Sequence, residues 1–271
     1  MIALREEEFN QIVRYVKGYC GLDLSEKKHL IEGRLQNVLA EENLKSFSDY
    51  YKYVIEDHHG GAIITLLNKL TTNHTFFLRE VDHFNFFRDK LLPKLTEGVN
   101  RKDLRIWSAG CSSGEEPYTL AMLIADFLGD KKAFWDTRIL ATDISRKALD
   151  LAIEGIYSSE QVGVLPENWR RNYFKKINQD QYEIADKIKN EVIFRSFNLN
   201  NTVYPFKQKF HVIFCRNVMI YFDNQTKKDL VEKFYQYTEP GGYLFIGHAE
   251  SINREQTKYK YVMPAVYRRE V

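Results

Sequence analysis

The feature that most constrains this fold is an alternation of short apolar runs with helical segments. Leu104–Gly110 is an apolar run that ends in glycine, and a helical segment over about Glu115–Leu128 follows it. Arg138–Ser145 is a second apolar run, and Ser145 can cap a further helix over Arg146–Glu154. A succession of strand, helix, strand and helix is typical of a parallel sheet with helical crossovers, so we predict an α/β fold.

Three later segments extend the predicted sheet. His211–Phe222 is a buried strand that runs into a loop or short helix, and a helix over about Asn224–Tyr237 follows it. Gly242–His248 is a further strand. Val262–Glu270 is an expected edge strand, because Pro264 cannot donate a hydrogen bond in the middle of a sheet.

The segment 170–196 interrupts the alternation. Tyr182–Asn198 has the pattern of short strands around polar turns. We therefore predict a small antiparallel β-subdomain at 170–196, inserted in the α/β domain and leading back into its sheet.

Residues 1–85 show helical spacing and no period-two alternation. Ser25 can cap the second of the expected helices. The apolar residues and segments that carry the helical pattern are Phe9, Ile12, Val13, Val16, Ser46–Val54 and Ile63–Leu70. A chain of 271 residues exceeds one typical domain. We predict an all-α domain with its linker at 1–85 and a larger α/β domain at 86–271.

Composition narrows the possible functions. Lys and Arg number 39 and Asp and Glu number 37, so the net charge of +2 gives no global case for binding nucleic acid or a membrane surface. Cys20, Cys111 and Cys215 are widely spaced and form no CxxC pair, so we expect neither a metal site nor a disulfide framework. The acidic N-terminus and the lack of a long apolar run predict a cytosolic protein without a signal peptide or membrane insertion.

The loop after the first predicted strand, Ser108–Tyr118, is rich in small residues. Ala109 and Gly110 let the backbone approach a ligand closely, and the next helix offers free N–H groups. The loop lacks both the GK[ST] of a P-loop and the GxGxxG of a dinucleotide fold. Glu115 and Glu116 favour a ligand with a positive group, such as the ammonium of a methionine moiety, or else they only complement the helix dipole.

Asp143 stands at the end of the second predicted strand. A carboxylate at that point can accept hydrogen bonds from both ribose hydroxyls of a nucleoside. Alternatively it could cap the next helix, a role that Ser145 can also fill. The acidic helix start and the acidic strand end together indicate an adenosine cofactor without phosphates, and S-adenosylmethionine fits.

Four segments closely resemble signatures of the CheR-type chemotaxis receptor methyltransferases. In chain order they are TTNHTFFLRE (Thr71–Glu80), WSAGCSSGEEPYTLAM (Trp107–Met122), FCRNVMIYF (Phe214–Phe222) and LFIGHAES (Leu244–Ser251). The resemblance covers nearly the whole chain, with the helical domain first. It implies a Rossmann-like catalytic domain that uses S-adenosylmethionine to esterify glutamate side chains on the cytoplasmic helices of chemoreceptors, releasing S-adenosylhomocysteine.

The resemblance also implies roles for the matching positions of this chain. The cofactor site would comprise Asn73, Thr75 and Arg79 from the linker, Ala109 and Gly110 from the loop, Glu116 for the amino group, Asp143 for the ribose, Asn198 and Leu199 beside the adenine, and Arg216 and Asn217.

Two of the implied roles are catalytic. Arg79 would orient the target carboxylate through its rigid fork of donors, although it could instead pair with Glu80 or Asp82. Tyr221 would face the reacting methyl group, and its alternative role is that of a core aromatic. His74 occupies a variable position of the signature and is expected to be non-catalytic.

The implied substrate raises the question of how it docks. Lys27, Lys28, Arg34 and Lys45 give the helical domain a local excess of positive charge, which could meet an acidic receptor helix or be an ordinary solvated face.

Family members that tether to a receptor's C-terminal pentapeptide carry a glycine-rich loop in the β insert, whereas Lys175–Glu191 contains no glycine. We therefore predict independence from that tether, and we expect a monomer.

Two other functions remain as alternatives. The first is a methyltransferase acting on nucleic acid or a small molecule. DNA methyltransferases that modify amino groups usually carry an Asn/Asp-Pro-Pro-aromatic loop, but no Pro-Pro pair occurs here and the net charge is close to neutral. A non-catalytic adaptor that senses the cofactor would bind it without turnover. The presence of Arg79, Asp143 and Tyr221 argues against a decayed site.

Overall fold

The N-terminal part of the chain is helical, as its spacing predicts. The computed structural model describes residues 2–71, 73–97 and 101–271. The first four helices are α1 (Glu6–Cys20), α2 (Lys28–Glu41), α3 (Phe47–Glu56) and α4 (Gly61–Leu70). Helix α1 buries Phe9, Ile12 and Val16 and ends where Gly21 adopts a φ of 80°.

The starts of two of these helices differ in how they are capped. The hydroxyl of Ser46 caps α3 by accepting a hydrogen bond from the amide of Asp49 at 3.0 Å. Ser25 does not cap α2, because it lies in the preceding turn and the helix begins at Lys28 without a side-chain cap. In that turn the carboxylate of Asp23 accepts from the amide of Ser25 at 3.1 Å.

Strands and helices alternate after the helical domain. The strands are β1 (Ile106–Ala109), β2 (Ile139–Asp143), β3 (Ile156–Ser158), β4 (Phe174–Lys176), β5 (Gln181–Ile184), β6 (Val192–Ser196), β7 (Phe210–Cys215), β8 (Thr238–Ile246), β9 (Lys260–Met263) and β10 (Val266–Arg268). The helices are α5 (Val81–Phe86), α6 (Leu92–Thr96), α7 (Glu115–Leu128), α8 (Arg146–Glu154), α9 (Ser159–Gly163), α10 (Glu167–Tyr173), α11 (Asp186–Lys189) and α12 (Asn224–Tyr237). Short π- and 3₁₀-helical turns lie at Phe87–Leu91, Gly129–Phe134 and Met219–Tyr221.

Seven strands form one mixed sheet in the order β6-β2-β1-β7-β8-β10-β9. The pairs from β6 to β8 are parallel, and those of β10 are antiparallel. Ala109 lies beside Thr142, and Ser108 lies beside Phe214. Because parallel strands end at the same edge of a sheet, this register brings together the residues that follow β1, β2 and β7.

A second, three-stranded antiparallel sheet has the order β3-β5-β4. Its strand β3 precedes the segment 170–196, and β6 within that segment belongs to the large sheet because it pairs in parallel with β2. The helical domain, the large sheet and this small sheet together confirm the predicted fold class. The domain limits of 1–85, 86–271 and 170–196 stay predictions.

The C-terminal segment differs from the single edge strand that was predicted. Strands β9 and β10 form a hairpin, and β10 lies inside the sheet between β8 and β9. Pro264 lies in the turn between them, where Ala265 adopts a φ of 61°. The proline interrupts the ladder because it has no N–H group, so one run of sequence becomes two strands.

The apolar residues of the large sheet alternate between two cores. Ile106 belongs to one core and Trp107 to the other, because successive strand residues point to opposite faces. The core around Trp107 also contains buried residues of α1–α4, so the helical domain packs against one face of the sheet. The indole N–H of Trp107 donates to the hydroxyl of Thr142 at 2.9 Å, which satisfies its one polar group. No helix in the described ranges combines the length and apolarity needed to cross a bilayer.

Candidate active site

A cavity opens at the edge of the sheet where β1, β2 and β7 end. Its empty volume, counted together with the open mouth, is ≈ 1120 Å³. The residues predicted for the site that line it are Asn73, Thr75, Arg79, Gly110, Glu116, Asp143, Asn198, Leu199, Arg216, Asn217 and Tyr221. Ala109 is not among the lining residues, because its side chain is buried in the core at the end of β1.

The loop after β1 brings the backbone close to the cavity. Gly110 adopts a φ of 87°, and a Cβ added there would lie 2.3 Å from a methyl carbon of Val218. Its amide donates to the carbonyl of Thr142 at 2.7 Å, which ties the loop to β2. Glycine is therefore required at this position both for the backbone conformation and for space.

The two glutamates at the start of α7 have different environments. Glu115 is fully buried and accepts a hydrogen bond from the hydroxyl of Ser113 at 2.8 Å, and burial raises its pKa. Glu116 lines the cavity, where it accepts from the hydroxyl of Ser108 at 2.7 Å and from Nη1 of Arg216 at 3.0 Å. Of the two, Glu116 alone lines the cavity and can meet a cationic ligand group.

Asp143 faces the cavity from the end of β2. Its two carboxylate oxygens accept from the amides of Ser112 and Ser145, each at 2.8 Å. Burial raises its pKa. The helix cap comes from Ser145, whose hydroxyl accepts from the amide of Ala148 at 3.2 Å. Asp143 therefore keeps lone pairs for a ligand, since a carboxylate offers about four acceptor positions.

Arg216, directly after β7, is a buried cation at the back of the cavity. Its side chain is 3% exposed and donates to Glu116 at 3.0 Å and to Glu80 at 3.1 Å. It also donates to the backbone carbonyl of Arg79. Its guanidinium carbon lies 5.1 Å from the ring centre of Phe84. The side chain thus joins α7, β7 and the linker before α5.

Arg79 lies on the linker that leads from the helical domain to α5. Its Nη1 donates to the carbonyl of His74 at 2.9 Å, and its guanidinium lies 5.8 Å from the ring centre of Phe76. Among the ion pairs formed by residues of the described ranges, none includes Arg79, so the suggested pairing with Glu80 or Asp82 is not seen. Its other donors form no hydrogen bond with the residues that the structure describes, so they are available to a ligand in the cavity.

Tyr221 lies in the turn after β7 and is fixed there by the helical domain. The amide of Asp23 donates to the carbonyl of Tyr221 at 2.8 Å, and Leu22 forms an isolated antiparallel bridge with Phe222. Lys17 and Asp223 form an ion pair at 2.6 Å in the same region. Tyr221 is half-buried, and it both packs against the core around Trp107 and lines the cavity.

The segments expected to hold the adenine and the rest of the cofactor also connect the two domains. The side chain of Asn198 donates to the carbonyl of Tyr19 at 2.6 Å. Asn73 donates through its side chain to the hydroxyl of Ser145 at 3.1 Å, and its carbonyl accepts from Ser112 at 3.0 Å. Thr72, within the first signature, lies outside the described residues.

Several lining residues were not foreseen from the sequence. Leu22 and Leu24 line the cavity from the segment after α1, together with Cys20. Leu22 and Leu24 alternate with the polar Asp23, and this period-two spacing indicates a strand-like segment. Phe76 is 43% exposed at the cavity and lies next to Arg79, at a position that the signature leaves variable.

The comparisons with known proteins agree with this geometry. The family model "CheR methyltransferase, SAM binding domain" matches residues 73–267, and "CheR methyltransferase, all-alpha domain" matches residues 7–71. The chain belongs to the CheR methyltransferase family.

Relatives described as chemotaxis protein methyltransferases support the assignment to this family. The chain is 40% identical over 272 residues to a chemotaxis protein methyltransferase of Borreliella burgdorferi, covering 99% of this chain and 96% of the relative. It is 34% identical over 262 residues to the chemotaxis protein methyltransferase Cher2 of Pseudomonas putida, covering 94% of each. A chemotaxis protein methyltransferase of Vibrio parahaemolyticus is 33% identical over 265 residues, covering 96% of this chain and 95% of the relative.

This CheR methyltransferase uses S-adenosylmethionine, and the cavity has the chemistry to hold it. Asp143 and Glu116 supply acceptors at two points of the cavity. Ile144, Phe197 and Leu199 supply apolar surface beside Asp143, where a purine ring can pack.

Glu80, His83 and His248 form a second cluster behind the cavity, with ligand atoms within 4.8 Å of one another. Such a trio could bind a metal ion, but Glu80 already contacts Arg216, a buried cation, at 3.1 Å. His83 is fully buried, with Nδ1 3.5 Å from Glu80. Burial, and then the charge of Arg216, lower its pKa to about 4. The cluster therefore has the electrostatics of an ion pair beside a neutral histidine.

We expect His83 to make the stability of this enzyme depend on pH. The folded pKa of about 4 lies below the ordinary value of 6.5, so the unfolded chain binds more protons between these pH values. Stability should be fully present above pH 6.5 and fall towards pH 4, by an amount on the order of 2–3 kcal/mol for this one group. Urea unfolding over this pH range should show a flatter profile for His83→Phe than for the wild type.

The matched control is His58→Phe, at an exposed position. It should follow the wild-type profile. Parallel profiles for the wild type and His83→Phe would show that His83 is not held neutral by its surroundings.

Proposed function

We propose that this CheR methyltransferase transfers the methyl group of S-adenosylmethionine to glutamate carboxylates on the cytoplasmic helices of chemoreceptors. The observation that carries the proposal is Arg79, which lies at the cavity with Glu116 and Asp143 and has donors left for a substrate. The family and its chemotaxis relatives supply the substrate class.

The proposed reaction needs orientation more than acid–base chemistry. A glutamate side chain has a pKa near 4.3, so it is ionised at neutral pH and can act as a nucleophile without a general base. The bound cofactor supplies an electrophilic methyl group on a sulfonium. The protein must then hold the carboxylate in line with that methyl group, and such positioning lowers the barrier by making the encounter intramolecular.

In this proposal, each polar side chain has one task. Arg79 binds the carboxylate through two parallel donors, which also fixes its plane. Tyr221 donates a hydrogen bond or shapes the channel for the methyl group. Glu116 binds the amino group of the cofactor, and Asp143 binds its ribose hydroxyls. The half-closed cavity limits water around the reacting atoms.

The basic surface proposed for receptor docking is smaller than the sequence suggested. Lys28 pairs with Glu6. Arg34 donates to the carbonyls of residues 69, 70 and 71 at 3.1, 3.2 and 3.3 Å, so it caps the end of α4. A docking role is therefore proposed for Lys27 and Lys45, which are exposed. We infer that the protein acts as a cytosolic monomer and does not bind nucleic acid.

The function is tested by a methyl-transfer assay with radiolabelled S-adenosylmethionine and receptor-containing membranes. We expect label on the receptor that mild base releases as methanol, since a carboxyl ester is base-labile. Arg79→Ala should lower kcat/KM by about 100-fold or more, because a misplaced nucleophile loses the benefit of orientation. Arg88→Ala, at an exposed position away from the cavity, is the control and should retain activity.

The alternative functions give different results in the same assay. Cofactor binding with no label on any of several receptors would support a sensing adaptor. Label that survives base would indicate another acceptor atom.

Asp143→Ala should weaken the binding of S-adenosylhomocysteine by about 10- to 100-fold, since hydrogen bonds to a charged group are lost. Isothermal calorimetry measures this affinity. Asp150→Ala removes an exposed carboxylate from α8 and should bind the product as the wild type does. Equal affinities of the two variants would argue against the proposed ribose contact.

We also propose that the enzyme works without a receptor tail tether. The turn between β4 and β5 contains no glycine and is fixed by the side chain of Asn178, which accepts from the amide of Asp180 at 2.9 Å. A peptide of the receptor's last five residues should show no calorimetric binding at about 1 mM. A family member with a glycine-rich loop serves as the positive control, and a micromolar Kd for this chain would contradict the proposal.

A further inference from the structure

The backbone on both sides of Arg79 has an unfavourable conformation. Leu78 adopts a φ of 60° and Glu80 a φ of 54°, so two residues other than glycine lie in the left-handed region within one turn. This conformation is unfavourable for residues other than glycine, and it persists only where the surroundings hold it. The conformation of the turn that carries Arg79 therefore depends on contacts with other segments.

The carboxylate of Glu80 makes these contacts. It accepts from Nη2 of Arg216 at 3.1 Å, from the side chain of Asn217 at 3.2 Å and from the amide of His248 at 3.1 Å. The side chain of Glu80 is 14% exposed. Three donors from two different strand ends thus fix the residue that follows Arg79.

Arg216 extends this network to the cofactor end of the cavity. It donates to Glu116 at 3.0 Å and to the backbone carbonyl of Arg79 as well as to Glu80. The buried guanidinium is therefore shared by two carboxylates, one in the cofactor site and one beside Arg79. Loss of either carboxylate would remove one of the two anions that pair with this buried cation.

We propose that Glu80 is the positioning residue for Arg79: it holds the strained turn against Arg216 so that the guanidinium of Arg79 faces the target carboxylate. This inference rests on the proposed function, since it assigns Arg79 to the substrate. Glu80 itself does not line the cavity and acts through Arg79.

The test is a double-mutant cycle of Glu80→Gln and Arg79→Ala. Glutamine keeps the size and one acceptor oxygen of Glu80 but removes the charge that pairs with Arg216. Glu80→Gln alone should lower kcat/KM for receptor methylation by about 10- to 100-fold, mainly through a higher KM for the receptor. In the Arg79→Ala background the same substitution should cost less than about twofold, because the residue it positions is gone.

Two further measurements separate positioning from a general loss of structure. Glu80→Gln should weaken the calorimetric affinity for S-adenosylhomocysteine no more than Arg79→Ala does. Asp82→Asn removes an exposed carboxylate two residues away and should behave as the wild type in every measurement. If Glu80→Gln does not fold, Glu80→Asp retains the charge with the carboxylate drawn back and enters the same cycle.

The possible outcomes are distinct. Effects of the two substitutions that multiply, or a Glu80→Gln variant with wild-type kinetics, would overturn the positioning role while leaving the proposed function intact. A wild-type protein that transfers no methyl group to receptors would overturn both.

Discussion

The buried guanidinium of Arg216 is the interaction on which the site depends. A cation that is 3% exposed is unfavourable in a protein interior unless it is paired and hydrogen-bonded. The two terminal nitrogens of Arg216 meet this requirement with Glu116, Glu80 and the carbonyl of Arg79, while its Nε has no hydrogen-bond partner among the described residues. These partners come from α7 and the linker before α5, while Arg216 follows β7. Because the charge of Arg216 must be paired, its contacts fix the relative positions of three segments that carry the proposed chemistry.

Several residues around the cavity have an unfavourable backbone conformation. Leu78, Glu80, Ser112 and Asn217 have positive φ, and these four account for most of the non-glycine residues with that conformation in the described ranges. Hydrogen bonds hold three of them: the amide of Ser112 donates to Asp143 at 2.8 Å, the amide of Asn217 donates to Glu250 at 3.0 Å, and the carboxylate of Glu80 accepts from Arg216 at 3.1 Å. A strained backbone beside a ligand cavity indicates that the geometry is maintained by surrounding contacts rather than by local preference.

The cavity is also a junction between the two parts of the chain. The helical domain shares a core with one face of the sheet and contributes Leu22 and Leu24 to the cavity wall. Its backbone receives the side chain of Asn198 and donates to the turn that contains Tyr221. A cofactor bound there would contact both parts. The helical domain is therefore a structural component of the site as well as a possible docking surface.

The sequence by itself determined the alternation of strands and helices, the order of the domains and a set of site residues of which all but Ala109 line the cavity. The alternation follows from apolar periodicity and helix caps, which are local features. Gly110, Glu116 and Asp143 were found because they follow strand ends, whereas the other site residues came from the resemblance of four segments to a known family. Only the tertiary structure decided which of Glu115 and Glu116 meets the cavity, that Arg34 caps α4, and that the C-terminal run is a hairpin. It alone placed Leu22 at the cavity and brought Glu80 into contact with Arg216, Asn217 and His248. Those outcomes depend on contacts between residues far apart in the chain, and burial and pairing at long range have no signature in local sequence.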